Sequence, residues 1–316
     1  MNKPLAYFCL ALSMALVGSY VALSKPLTVV LPIFLLAWLR FGIGGLAMLH
    51  WLKKPSNEAA MSPQTKRLVF IESFLGNFLF SICMLFGVSM TSALNAGIIM
   101  STIPAVVAVL SWIFLRERIG LNVWLAVACG VLGIALFAIS KSATEIQNAN
   151  INITSTTTTF TSAWLGNVLL FCAVLCEAAY AVIGKKLTNT LSPKRISALI
   201  NLWGFVLMTP FGLYMAWQFN FGSVSNQMWL LLIFYALAAS VWTVWLWMTG
   251  LQIIPSSQAG VFTVFLPVSA AVVGVLVLGE SINTWQFIAL CIALLGVIIA
   301  TLPNGEHREK RTKLNN

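Results

Sequence analysis

The chain has 316 residues, of which 59% are hydrophobic and 8% charged, and its mean hydropathy is +0.92. Soluble domains carry about 25% charged residues, so this composition excludes a soluble globular protein and indicates an integral membrane protein. The formal net charge of +10 does not point to nucleic acid, because the cations are sorted between alternate connecting segments.

Ten apolar windows follow one another: 5–24, 33–52, 68–89, 95–115, 122–140, 163–184, 197–217, 228–250, 258–279 and 284–302. Each is close to the roughly 20 residues that cross a bilayer as a helix. A spanning segment must satisfy its own backbone hydrogen bonds, and these runs are too long for barrel strands of about ten alternating residues. The first window is long for a signal-peptide core and lacks a clear A-x-A cleavage site, so it is expected to be retained. With a cytoplasmic N-terminus, fifteen Lys and Arg lie on the inside, only Lys25 and Lys141 outside, and Arg40 within a span. This bias assigns both termini to the cytoplasm. The basic tail, 304–316, reads as a topology signal and lipid-facing patch.

In the first half, Tyr20 stands near the outer end of its span. Arg40 lies about 13 residues, or roughly 20 Å, from the inner end of the second span. A mid-span arginine costs about 2.5–3.5 kcal/mol on insertion scales and usually faces a cavity or a partner. Two readings stay open: a cavity residue for an anionic group such as a carboxylate, and an anchor bonded to backbone carbonyls. The basic loop Lys53–Arg67 is expected to be a solvated linker. Glu72 opens the third span near the inner surface, where a snorkelling end residue is expected. Asn77 lies deeper in that span. Asn95 begins the fourth span, as a cap or a polar cavity contact.

The polar stretch 141–162, rich in Asn and Thr, lacks the apolar content to fold alone and is expected to be an external linker. Beyond it, Glu177 is the only acid well inside a span. A buried carboxyl can exchange protons near neutral pH, so it is a candidate for proton coupling or for a substrate amine; a hydrogen-bonded packing residue is the alternative. Tyr180 and Asn201 add polar groups, Asn201 at the position corresponding to Arg40. Trp242 and Trp245 share a helical face that stacks a ligand or meets lipid. Gln258 begins the ninth span as Asn95 begins the fourth. Trp51, Trp164, Trp217, Trp229 and Trp285 lie at span ends, where interfacial belts form.

The chain repeats itself. Ala96–Gly133 shifted by 163 positions lands on Ala259–Gly296 without a gap, with eleven identities in 38 positions. Pro104 falls on Pro267, Glu117 on Glu280 and Gly133 on Gly296. Earlier in each half, Tyr20–Thr28 resembles Tyr180–Thr188 at an offset of 160. A repeat of five spans is odd, so the halves insert in opposite orientations, and such proteins hold their site near the midplane between repeats. The expected architecture is an all-α membrane protein of ten transmembrane helices in two inverted five-helix repeats, 1–140 and 163–303. Pro104 and Pro267 are candidate kinks beside a gate. Glu117 and Glu280 are expected to accept bonds from N–H groups at the start of the following helix. Ala126-xxx-Gly130 and Gly296-xxx-Ala300 are small-residue pairs for packing within a half or for a homodimer contact.

With Trp38-Leu39-Arg40-Phe41 in the second span, a proline in the fourth and ninth, and Leu115-Arg116-Glu117 and Leu278-Gly279-Glu280 at their ends, the chain resembles the drug/metabolite transporter superfamily, EamA type. The resemblance covers nearly the whole chain. It implies a ten-helix carrier with a central cavity, and many relatives export amino acids or related metabolites. Such proteins often carry Trp-Gly in the first span where this chain has Val17-Gly18.

Other classes fare poorly. The chain has no Asp and only two His, and contains no H-E-x-x-H, G-x-S-x-G or G-x-x-x-x-G-K-[ST] motif, which argues against an enzyme or a direct user of ATP. Six scattered cysteines without nearby histidine do not suggest a metal site. The expected function is secondary transport of a small molecule across the inner membrane by alternating access, without a cofactor but with a proton gradient as a coupling source. No residue fixes the direction, and export of amino acids or related metabolites is favoured only by what the resemblance implies. A drug, sugar or nucleoside carrier is the alternative; a non-transporting receptor or assembly protein is the more distant rival.

Overall fold

The computed structural model describes residues 2–23, 25–55, 58, 60–90, 99–148, 160–278 and 283–302. All regular structure among them is helical. The first half gives α1 (Lys3–Leu23), α2 (Lys25–Val30), α3 (Ile33–Ala47), α4 (Pro63–Ser73), α5 (Phe80–Met90), α6 (Ile103–Leu115) and α7 (Leu121–Asn148). The second gives α8 (Phe160–Leu187), α9 (Pro193–Gln218), α10 (Asn226–Leu237), α11 (Thr243–Leu251), α12 (Ser256–Val261), α13 (Phe265–Leu278) and α14 (Thr284–Thr301). Among the described residues, seven helical segments are long and apolar enough to cross a bilayer, and Ile33–Ala47, Ile103–Leu115 and Leu121–Phe137 are shorter apolar helices.

Local chemistry sets the boundaries. Ser62 caps α4 by accepting from Thr65 N at 3.1 Å, with Pro63 in the first turn where its missing N–H costs nothing. Asn283 and Gln286 form a reciprocal capping box on α14. Helix α7 runs on to Asn148 and α8 begins at Phe160, so the polar stretch expected as a linker is partly helical; residues 149–159 lie outside the described residues.

Three departures from regular α-helix bear on function. Between α4 and α5 the chain is π-helical at Phe74–Leu79, and between α10 and α11 at Ala238–Trp242. In the ninth window, α12 and α13 are separated by a 3₁₀ turn, Phe262–Val264. The turn at 101–102 likewise precedes α6. Pro104 and Pro267, expected as mid-helix kinks, therefore stand in the first turn of the helical piece that follows each break. The physics is that of a kink, since proline cannot donate to the carbonyl four residues back, but the distortion lies on its N-terminal side.

Helix α1 packs against α11 and α13, and α8 against α5 and α6. Helix α3 pairs with α9, and α7 with α14. The last pairing uses the small residues noted in the sequence. A Cβ on Gly133 would lie 2.6 Å from Ala293 Cβ, and one on Gly296 would lie 2.8 Å from Ala126 O. The seam joins the first half to the second, which is neither packing within a half nor a contact between copies. The loop before α4 is not simply a solvated linker either: Glu58 pairs with Arg195 of α9, both side chains largely buried.

Candidate functional site

A cavity of about 250 Å³ opens between the two halves. Helix α1 contributes Val17 and Tyr20, α3 contributes Arg40 and Phe41, and α8 contributes Glu177 and Tyr180. Both π-helical segments reach it, through Gly76-Asn77 and Ala239-Ser240. So do both broken turns, through Met100 and Ile103 on one side and Thr263 and Leu266 on the other.

Six of the residues singled out in the sequence meet here: Tyr20, Arg40, Asn77, Glu177, Tyr180 and Asn201. The Arg40 guanidinium carbon sits 4.3 Å from the Phe41 ring centroid, and its Nε is buried without a hydrogen-bond partner. Among the described residues Arg40 and Glu177 have no ion-pair partner. Tyr20 meets Tyr235 edge-to-face at 5.4 Å. Asn77 is engaged within the protein: its Nδ2 donates to Ser73 Oγ at 3.4 Å and to Ile200 O at 3.3 Å. Asn201 Nδ2 donates to Phe41 O at 2.8 Å, while its Oδ1 has no partner. Gly44 permits this approach, since a Cβ there would lie 2.5 Å from Ser240 Cβ and 3.1 Å from Asn201 Oδ1.

The remaining candidates lie elsewhere. Trp242 is 40% exposed, packed against Phe234 with ring centroids 6.3 Å apart, and does not line the cavity. Gln258 is also outside it: its Nε2 donates to Ala300 O at 3.2 Å and its Oε1 accepts from Tyr7 Oη at 3.5 Å. Asn95 and Glu280 lie outside the described residues. Glu117 is a cap, but on a helix other than the following one. Its Oε1 accepts from Ser256 N (2.9 Å) and Ser256 Oγ (3.1 Å), and its Oε2 from Ser257 N (3.0 Å), at the start of α12 in the other half. Arg116, with φ of 53°, ends α6 in the left-handed region and turns the chain so that Glu117 reaches across.

The sequence reading missed Trp247 and Ser240. Trp247 is buried against the cavity with its indole N–H unpartnered, and Ser240 Oγ is also buried and unpartnered. With Thr243, which also lines the cavity, they follow at spacings of three and four, the signal that one helical face carries all three. Glu72, expected as a snorkelling end residue, is instead completely buried.

A family model described as the EamA-like transporter family matches residues 4–139 and again 164–302. Uncharacterized transporter YetK of Bacillus subtilis (strain 168) is 34% identical over 305 residues, covering 94% of this chain and 87% of that protein. Uncharacterized transporter YyaM of the same organism is 23% identical over 266 residues, covering 84% and 83%. A solved crystal structure superposes with a TM-score of 0.73 at 15% identity, over 96% of this chain and 99% of that one, which shows a shared fold. With apolar helices throughout and the family match over both halves, this is a multi-pass membrane protein, and the chain belongs to the EamA-like transporter family of the drug/metabolite transporter superfamily.

Proposed function

We propose that the chain is a secondary active carrier that moves amino acids or related small metabolites by alternating access around the central cavity, with export the favoured direction. The observation that carries this reading is that Arg40 and Glu177 line one cavity, each without an ion-pair partner among the described residues. A ligand with both a carboxylate and an amine answers both groups. An intramembrane cation and anion left unpaired are costly unless a water-filled cavity or a ligand solvates them.

The inverted ten-helix architecture is part of the same proposal. It is supported by the double family match and by the reciprocal packing of α1 on α11 and α13 and of α8 on α5 and α6. Cavity positions also recur at the repeat offsets: Met100 with Thr263, Ile103 with Leu266, Asn77 with Ser240, and Tyr20 with Tyr180. The placement of cations in the sequence supports an inner-membrane protein with both termini cytoplasmic. The aromatic wall of Phe41, Phe80, Tyr180 and Trp247 supports a second reading, an aromatic or cationic drug held mainly by Glu177.

The test is thermal stability of the purified protein against amino acids, polyamines, sugars, nucleosides and cationic drugs, followed by flux in proteoliposomes. A ligand at 100 times its dissociation constant stabilises by about 2.7 kcal/mol. Amino acids are expected to stabilise the wild type and to lose that effect in Arg40→Ala. A folded Arg40→Ala protein with unchanged flux removes the anion role, and Glu177→Gln with full pH-dependent flux removes the coupling role.

A further inference from the structure

A second carboxyl group is buried outside the cavity lining. Glu72 lies in the last turn of α4, next to the π-helical segment, and is wholly inaccessible to solvent. Neither of its oxygens has a hydrogen-bond partner among the described residues. Helix α8 passes it at Gly184, where a Cβ would fall 2.8 Å from Glu72 Oε1 and 3.1 Å from the Met248 methyl of α11. The glycine makes room for the carboxyl between these helices.

The cations on the neighbouring elements are turned elsewhere. On α8, Lys185 Nζ donates to Leu251 O at 2.6 Å and Lys186 is exposed. On α9, Arg195 pairs with Glu58 and Lys194 lies over the Trp51 ring at 5.8 Å. Helix α11 presents Met248. On α8, one turn before Gly184, stands Tyr180, which lines the cavity beside Glu177. Tyr180 packs so closely on the π-helical segment that a Cβ on Gly76 would lie 2.3 Å from its ring.

An ionised carboxylate without partners in an apolar interior is strongly disfavoured, whereas the neutral acid leaves only weak demands unmet. Along α8, Glu177, Tyr180 and Gly184 follow at spacings of three and four and therefore share a face. Seven residues cover about 10 Å of helix axis. Glu177 and Tyr180 line the cavity, and Glu72 meets this same face at Gly184.

We propose that Glu72 is a second proton-binding group of the carrier, neutral in this conformation and linked to the cavity through Tyr180. In the transfer, the Glu72 O–H proton passes to water admitted between the helices, since no protein group among the described residues hydrogen-bonds the carboxyl in this conformation. Water on the cavity side, ordered by the Tyr180 hydroxyl, delivers a proton to the Glu177 carboxylate. Glu72 is left ionised, Glu177 neutral and Tyr180 unchanged, with no change in total charge. Ionised Glu72 requires water, so this state belongs to a conformation in which α4, α8 and α11 have separated. The role of this proton in coupling rests on the transport reading above; its presence on Glu72 does not.

Infrared spectroscopy of the full chain in lipid, without added ligand, tests the protonation. The wild type at neutral pH is expected to show a carboxylic-acid C=O band that Glu72→Gln lacks and Glu177→Gln retains. Tyr180→Phe is expected to slow the deuterium shift of that band at least tenfold. If Glu72→Gln is too unstable to purify, Gly184→Ala, which crowds the same oxygen, is expected to move the band. Identical acid-region spectra for the wild type and the Glu72→Gln or Gly184→Ala protein overturn the proposal. In proteoliposomes given a radiolabelled mixture of the twenty amino acids, Glu72→Gln is expected to keep exchange but to lose at least tenfold of pH-driven accumulation; full accumulation overturns the coupling role. A wild type that moves no amino acid fails the amino-acid transport reading, while the infrared result still decides whether Glu72 holds a proton.

Discussion

Glu117→Ala removes a carboxylate that joins the two halves at one point. Three donors lose their acceptor: the N–H groups of Ser256 and Ser257 and the Ser256 hydroxyl. Both serines are buried, so water cannot readily replace the carboxylate. Ser256 Oγ keeps a second neighbour in Ser111 Oγ at 2.7 Å, which leaves the two backbone N–H groups as the main loss. A buried donor left without a partner costs about 1–3 kcal/mol, and the two neighbouring donors relax together, so the expected destabilisation is about 3–4 kcal/mol. Glu117→Gln keeps one carbonyl oxygen and loses the charge, and about half that value is expected. The assay is reversible denaturation in mixed detergent micelles, followed by tryptophan fluorescence. An Ala variant within 0.5 kcal/mol of the wild type, about the scatter of an ordinary surface substitution, refutes the reasoning.

The seam between α7 and α14 predicts that Gly133→Ala destabilises by about 1–3 kcal/mol through overpacking, because the new methyl meets Ala293 Cβ at 2.6 Å; a melting temperature at or above the wild type's contradicts this. Arg195→Ala strands the buried Glu58 carboxylate and is expected to cost about 3–5 kcal/mol in the same denaturation assay, with the loss reduced when Glu58→Gln is added. Trp247→Ala is expected to weaken binding of a stabilising ligand at least tenfold, whereas Trp242→Ala, on an outer face, is expected to leave the dissociation constant unchanged in a thermal-shift titration.

The membrane class was legible in the sequence because twenty-residue apolar runs have few other uses. The repeat stood out because Gly, Pro and Glu carry specific backbone or charge roles, so their recurrence at 163 positions meant more than recurring Leu or Val. Arg40 and Glu177 stood out because ionisable groups are rare inside spans. The sequence did not show which helices of opposite halves touch. Glu117 was therefore assigned to the next helix in the chain, when α12 offers its N-terminus instead. Glu72 was misread because distance from a window edge is a poor measure of burial when Gly184 lets a neighbouring helix close over the side chain. Trp242 was chosen over Trp247 because an aromatic pair sharing a face does not say whether that face points inward.

The two π-helical segments have a consequence for probing this protein by accessibility scanning. Each inserts a wider turn into a helix that is otherwise α-helical on both sides, and a wider turn advances the phase of every position that follows. Single-cysteine labelling from Pro63 to Met90, or from Asn226 to Leu251, should therefore not fit one wheel of 3.6 residues. Two wheels are needed in each, with the offset falling at Phe74–Leu79 and at Ala238–Trp242. Loss of that offset in one conformational state, with the other state unchanged, would mark the segment as the place where the helix rewinds.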